Sequence, residues 1–169
     1  MKMVTTRFGE IDIDETRTIE MIGGGILGFE RLKRFALMLQ DEKTPFLWLQ
    51  SLEDGSVAFV VMNSFVADPD YAPVIDSASQ ALLEIEKPED ALLLSIVTIR
   101  NSPFRVTVNL KAPLVINLKT RRARQIVIDA PDYPIRHDLA LKTAARGEVP
   151  AAGSEPGKLR EIAAGATVL

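Results

Sequence analysis

Apolar and polar residues alternate from the start of the chain. Met3, Thr5 and Arg7 alternate with Val4, Thr6 and Phe8, and past Gly9 the apolar Ile11 and Ile13 alternate with Asp12 and Asp14, the period of a strand with one buried face. Asp14-Glu15-Thr16 reads as a tight turn and Thr18-Ile19-Glu20-Met21-Ile22 as a further strand, which predicts an N-terminal antiparallel meander. Gly23-Gly24-Gly25 interrupts the pattern, Phe29 to Lys33 reads as one helical turn, and a strand follows at 35–39. Strands at 46–51 and 57–62, separated by the turn-rich spacer 52–56, predict a hairpin.

One helix is expected after that hairpin. Ser77 to Gln80 fits a capping box, and Leu82, Leu83 and Ile85 follow before Pro88 ends the run. Ala91 to Ile99 is apolar at both parities and reads as a strand buried on both faces. Val106, Val108 and Leu110 alternate with Thr107 and Asn109, and strands at 114–117 and 125–129 flank a basic turn at 119–124. About ten short strands with one or two short helices predict a mainly β fold, an antiparallel barrel-like or sandwich-like architecture rather than βαβ alternation. The β-rich domain is expected to span 1–139. From 140 to 169 the chain turns rich in Ala, Gly and Pro and reads as a flexible tail.

Composition narrows the chemistry. A chain of 169 residues that is 47% hydrophobic and 25% charged is expected to fold as one soluble globular domain. The absence of cysteine removes disulfides, thiol nucleophiles and thiolate metal sites, and a lone histidine, His137, leaves little for an imidazole metal site or a triad. The net charge is −3, and since 140–169 carry a net +1, residues 1–139 carry −4. That balance argues against direct nucleic-acid binding and leaves a basic protein partner open. No apolar stretch approaches the ~20 residues of a membrane span, and the acidic residues near the N-terminus do not fit a signal peptide. A cytoplasmic location is expected.

Each chemically suggestive cluster has a plainer reading beside it. The triple glycine lacks the flanking residues of a phosphate loop and is read as a turn. Asp12, Asp14 and Glu15, and likewise Asp68 and Asp70, are carboxylates that a hard cation accepts, but on a strand or loop they form a solvated face. Asp132, Tyr133, His137 and Asp138 include acid–base groups without any motif to organise them, and are read as structural or surface residues. The basic turn is read as a solvated hairpin tip, because no aromatics interleave it. In Phe46-Leu47-Trp48-Leu49 both faces are apolar, so one of them is a possible partner surface. The segment 63–71 mixes aromatics, acids and a proline in one loop, a combination that suits protein recognition as well as loop packing.

The sequence also resembles a known family. Thr6-Arg7-Phe8-Gly9, Gly25-Ile26-Leu27-Gly28-Phe29-Glu30, Pro45 to Ser51, Ala58 to Val61, Pro69-Asp70-Tyr71, Glu89-Asp90, Ile96 to Ile99, Asn109 to Pro113, Val115-Ile116-Asn117 and Tyr133 to His137 occur in order and at about the spacing of the bacterial flagellar assembly factor FliW family. The resemblance covers 1–139. It departs at Leu27 and at Ser64, two positions where the family usually carries proline. It implies a β-rich barrel-like fold and a binding protein without catalytic residues, metal or cofactor. The partners it implies are flagellin and the translational regulator CsrA, a small basic dimer that represses flagellin messenger RNA. Free flagellin would occupy the protein while export is stalled; once flagellin is exported, the protein would capture CsrA and relieve repression. The alternative is a flagellin-binding chaperone without that switch. Asn63, Phe65, Asp68, Asp70 and Tyr71 are the expected partner contacts, with Arg136 and His137 as a second patch.

Overall fold

The computed structural model describes residues 1–139 and, beyond them, the backbone of Ala166–Val168. In chain order the strands are β1 Lys2–Thr5, β2 Gly9–Ile13, β3 Ile19–Met21, β4 Arg34–Met38, β5 Phe46–Ser51 and β6 Ala58–Asn63. Helices α1 Ser64–Ala67 and α2 Ser77–Leu82 precede β7 Ala91–Asn101, β8 Phe104–Val108, β9 Leu114–Asn117, β10 Arg122–Gln125, β11 His137–Asp138 and β12 Ala166–Val168.

β7 closes the fold. One edge pairs with β6, Val60↔Val97 to Asn63↔Leu94. The other edge is shared, its first half by β9 (Ala91↔Asn117 to Leu94↔Leu114) and its second half by β8. The hydrogen-bonded order β7–β6–β5–β4–β3–β10–β9 therefore returns to β7 as a ring, with β8 and β11 extending outward. Its pairs are antiparallel except β3 with β10, which run parallel. A ring leaves no free edge among its members, which is how an all-β domain avoids edge-to-edge association.

The alternation within each strand sorts residues between interior and exterior. Phe35, Leu37, Leu47, Leu49, Val61, Leu92, Leu94, Leu114 and Ile116 join Ile19, Met21 and Ala123 in one cluster fed by all seven ring strands, the barrel interior. Residues of opposite parity are also covered. Ala36 and Met38 pack under Ile11 and Ile13 of the small β1–β2 sheet, with Phe8 and Trp48 alongside. Met62, Leu93, Val97 and Val115 pack with Val106 and Val108 of β8 under α1, α2 and the segment around Tyr133. Strands apolar at both parities are thus buried on both faces by the chain itself. The open face expected on β5 is filled in this way: Trp48 lies edge-on to Phe8 at 5.4 Å, with the Arg7 guanidinium 4.4 Å from its ring centre.

Several local expectations are corrected. The N-terminal meander stops at β2, because a 3-10 turn at Glu15–Arg17, capped by the Asp14 carboxylate, sends β3 into the barrel rather than back onto β2. Residues 29–33 are not a helical turn. Reverse turns close by Phe29 N–H to the Ile26 carbonyl and Leu32 N–H to the Phe29 carbonyl, and they bury Ile26 and Leu32 in the barrel cluster. The glycines before them permit this path: Gly25 has φ +75°, and a β-carbon there would lie 3.2 Å from the Glu30 backbone. The basic turn ends at Arg121, and Arg122 to Gln125 form β10 rather than a hairpin tip. β7 is buried only to Val97; 98–101 run on into an exposed hairpin end. Of the tail expected at 140–169, 140–165 and Leu169 lie outside the described residues, and the backbone of Ala166–Val168 pairs with β2.

Candidate functional site

The loop expected to recognise a partner connects β6 to α2 across the outside of the barrel. It begins with Asn63, whose Oδ1 accepts from the Phe65 N–H at 2.9 Å and so caps α1. Ser64 is fully buried and its hydroxyl meets that of Ser95 on β7 at 2.7 Å. Where the family usually has proline, this chain therefore has a hydrogen bond into the strand beneath. The other departure behaves alike: the Leu27 N–H, a donor that proline lacks, bonds Gln125 Oε1 at 2.8 Å.

Past α1 the chain turns at Asp68, whose carboxylate accepts from the Asp70 N–H and whose carbonyl accepts from the Tyr71 N–H, both at 3.0 Å. This turn drives Tyr71 inward. Its hydroxyl donates to the Leu110 carbonyl at 2.7 Å, its ring meets Tyr133 edge-on at 4.7 Å, and Phe65 lies 6.0 Å away. Burial, with Tyr133 and Asp68 nearby, pushes the Tyr71 phenol well above its ordinary pKa, so it stays a neutral donor. The Tyr133 hydroxyl in turn accepts from the Ala72 N–H at 3.0 Å.

α2 forms the opposite wall. Its N-cap is Asp76, one residue before the expected Ser77, with the carboxylate accepting from the Ser79 N–H at 2.8 Å and the Ser79 hydroxyl at 2.7 Å. Those two bonds, with Arg124 near, hold the Asp76 carboxyl below its ordinary range. Gln80 does not close a capping box; its amide donates to the Ile75 carbonyl at 2.7 Å. The end of the helix is anchored by Asn117 of β9. Asn117 Nδ2 donates to the carbonyls of Leu83 and Glu84, at 2.8 and 3.0 Å, while its Oδ1 accepts from the Lys119 and Thr120 N–H groups.

Between these walls lies a cavity of about 460 Å³. Phe65, Tyr71, Ile75, Ile85, Leu93 and Val115 make its apolar lining, and Gln80, Glu86 and Lys87 supply polar groups. Of the expected contact residues, Phe65 and Tyr71 line this cavity together. Asp68, half-buried, and Asp70, exposed, stand on the turn between Phe65 and Tyr71 and do not line the cavity. Asn63 and Tyr71 are each only 3% exposed, which gives them the work of shaping the loop. Arg136 and His137 do not line the cavity. Arg136 is exposed, and His137 sits on β11 opposite Val108, beside an Arg105–Asp138 ion pair bonded at 2.6 and 2.8 Å. That arginine holds the Asp138 carboxyl low and engages it on β8.

The basic segment is tied to the structure rather than presented as a phosphate site. Lys119 pairs with Asp90 at 2.8 Å, Arg122 with Glu84 at 3.2 Å, and Arg124 reaches the Ser79 hydroxyl at 3.4 Å. Sequence reasoning missed α1 and the lining residues Ile75, Ile85, Leu93 and Val115. The Asn-Ser-Phe start of α1 was a readable N-cap signal, while the lining depends on pairings between distant segments that no local pattern carries.

These features define a β-barrel scaffold with a side cavity lined mainly by apolar residues, with Gln80, Glu86 and Lys87 as the polar members of the lining. The model of the FliW protein family matches residues 2–139, and the chain belongs to the FliW family of flagellar assembly factors. It is 48% identical over 139 residues to the flagellar assembly factor FliW of Syntrophus aciditrophicus, covering 82% of this chain and 87% of that protein. The Geobacter sulfurreducens flagellar assembly factor FliW is 38% identical over 156 residues, covering 90% of this chain and 97% of that one. A crystal structure of the flagellar assembly factor FliW superposes with a TM-score of 0.75 at 32% identity, over 82% of this chain and 96% of the other. Among the described residues no helix is long and apolar enough to cross a membrane.

Proposed function

We propose that this chain acts in the cytoplasm as a partner switch. It binds flagellin while flagellin is plentiful, and when flagellin is depleted it binds the translational regulator CsrA, releasing flagellin messenger RNA from repression. Family membership supports the flagellar role. The observation that carries the binding reading is the cavity and the loop that walls it: the apolar lining offers buried contact area, and the loop that supplies Phe65 and Tyr71 also carries the acids Asp68 and Asp70, which suit a basic partner. The net charge of −4 over 1–139 adds a field that attracts a basic dimer and repels RNA phosphates. Antagonism of that kind needs no overlap with the RNA site, but it must be reciprocal: RNA weakens the grip on the regulator by the factor by which the grip weakens RNA.

The test is a titration of CsrA with the wild-type protein and with Asp70→Lys. Asp70 is exposed, so its replacement leaves stability within ~0.5 kcal/mol. A several-fold loss of affinity in the folded variant is expected. Unchanged affinity removes the acidic turn from the interface.

A further inference from the structure

The small sheet on the outside of the barrel is completed from the far end of the chain. β2 pairs with β1 on one side and with β12 on the other, in the register Ala166↔Ile13, Thr167↔Asp12, Val168↔Ile11. The Ile13 N–H donates to the Met1 carbonyl at 2.7 Å and its carbonyl accepts from the Met1 amino group at 2.8 Å. Main-chain groups of successive strand residues point to opposite edges, so those of Ile11 and Ile13 face β1 and those of Asp12 face away. Thr167 stands opposite Asp12. This pair is therefore the one that exchanges main-chain hydrogen bonds across the β2–β12 seam.

Without β12, that edge has the properties of an acceptor. It is rigid, because Ile11 and Ile13 are 0% and 3% exposed and locked over Ala36 and Met38. Natural edge strands are guarded by unpaired charge, yet the acids of this edge are answered from within: Glu10 by Lys2 at 3.3 Å, Asp12 by the Met1 amino group at 3.4 Å, and Asp14 just beyond it by Arg17 at 3.1 Å. The guard is neutralised, and a strand provides the cover. We propose that the β2 edge is a strand-acceptor site, closed in cis by Ala166–Val168, and that displacing this segment opens it to residues 166–168 of a second copy of this chain. The incoming segment is identical to the resident strand, so it can take the same register against Ile11 to Ile13. Because the resident strand belongs to the same chain, a segment in trans competes with an intramolecular partner, so the site is silent until β12 leaves.

The experiment compares the full-length protein with full-length Thr167→Pro, which lacks the donor facing Asp12. Hydrogen exchange at the Asp12 amide and anisotropy of a labelled peptide of residues 163–169 are measured on both. The near-ultraviolet signal of Trp48 reports that the small sheet remains packed. In the variant, Asp12 exchange at least about tenfold faster and peptide binding at least about tenfold tighter are expected, since the binding-competent fraction rises. The same peptide N-methylated at the threonine nitrogen should not bind. Equal Asp12 exchange in the two proteins, no peptide binding to the packed variant, or equal binding of the methylated peptide would each overturn the proposal.

Discussion

Asn117 shows how one side chain ties two parts of the site together. It is 1% exposed, and its amide makes four hydrogen bonds, two to the carbonyls that end α2 and two to the turn after β9. A buried amide with both ends satisfied is costly to remove, because truncation strands several polar groups at once. Asn117→Ala is expected to destabilise the fold by about 3 kcal/mol, read as a lower urea midpoint at unchanged slope. Weaker partner binding should accompany it, since α2 walls the cavity. Little of this was legible from sequence. Val115-Ile116-Asn117 was visible as a matching motif, and the apolar pair announced a strand, but the asparagine's partners lie 33 and 34 residues upstream and its role depends on them. Phe65 and Tyr71 were picked out as aromatics in a loop; only the packing separates Phe65, which lines the cavity, from Tyr71, which also holds Leu110.

At the level of elements, strands were read most securely where the sequence alternates or is doubly apolar. β5 and β9 fall on the residues expected, and the β5–β6 hairpin forms across its predicted turn. Helical features were misplaced by one residue or more, because caps are settled by local competition among neighbouring polar side chains. At α2, Asp76 takes the cap from Ser77 by bonding both the amide and the hydroxyl of Ser79. Its carboxyl is held below its ordinary value of 3.8, first by the Ser79 hydroxyl and then by the Ser79 amide. A carboxyl depressed by folding stabilises the native state above its unfolded pKa and loses that contribution as pH falls through the folded one. Asp76→Asn keeps an acceptor at the cap but does not titrate. The stability advantage of the wild type over Asp76→Asn should be fully present at neutral pH and shrink below about pH 4, in thermal melts of both proteins across pH 2.5 to 7, as order-of-magnitude bounds for a carboxyl. A constant difference across that range would mean the cap carries no folding-linked proton.

Over the whole molecule, the sequence pointed to a mainly β fold, barrel-like or sandwich-like, but not to whether or how it closes. Closure depends on β7 sharing one edge between β8 and β9, and on the parallel pairing of β3 with β10. Such long-range registers leave no mark in local periodicity; they leave one only in strands that are apolar on both faces, as 91–97 are. The same architecture explains why the cavity sits outside the ring: the interior is filled by side chains, so the room available is the gap that α1, α2 and their loop leave over β7 and β9. The most direct test is a calorimetric titration of this protein with the CsrA of the same organism, made first on the free protein and then on protein saturated with flagellin. The account predicts binding in the first titration and its loss in the second. No binding to the free, folded protein, or binding that saturating flagellin leaves unchanged, would contradict the switch.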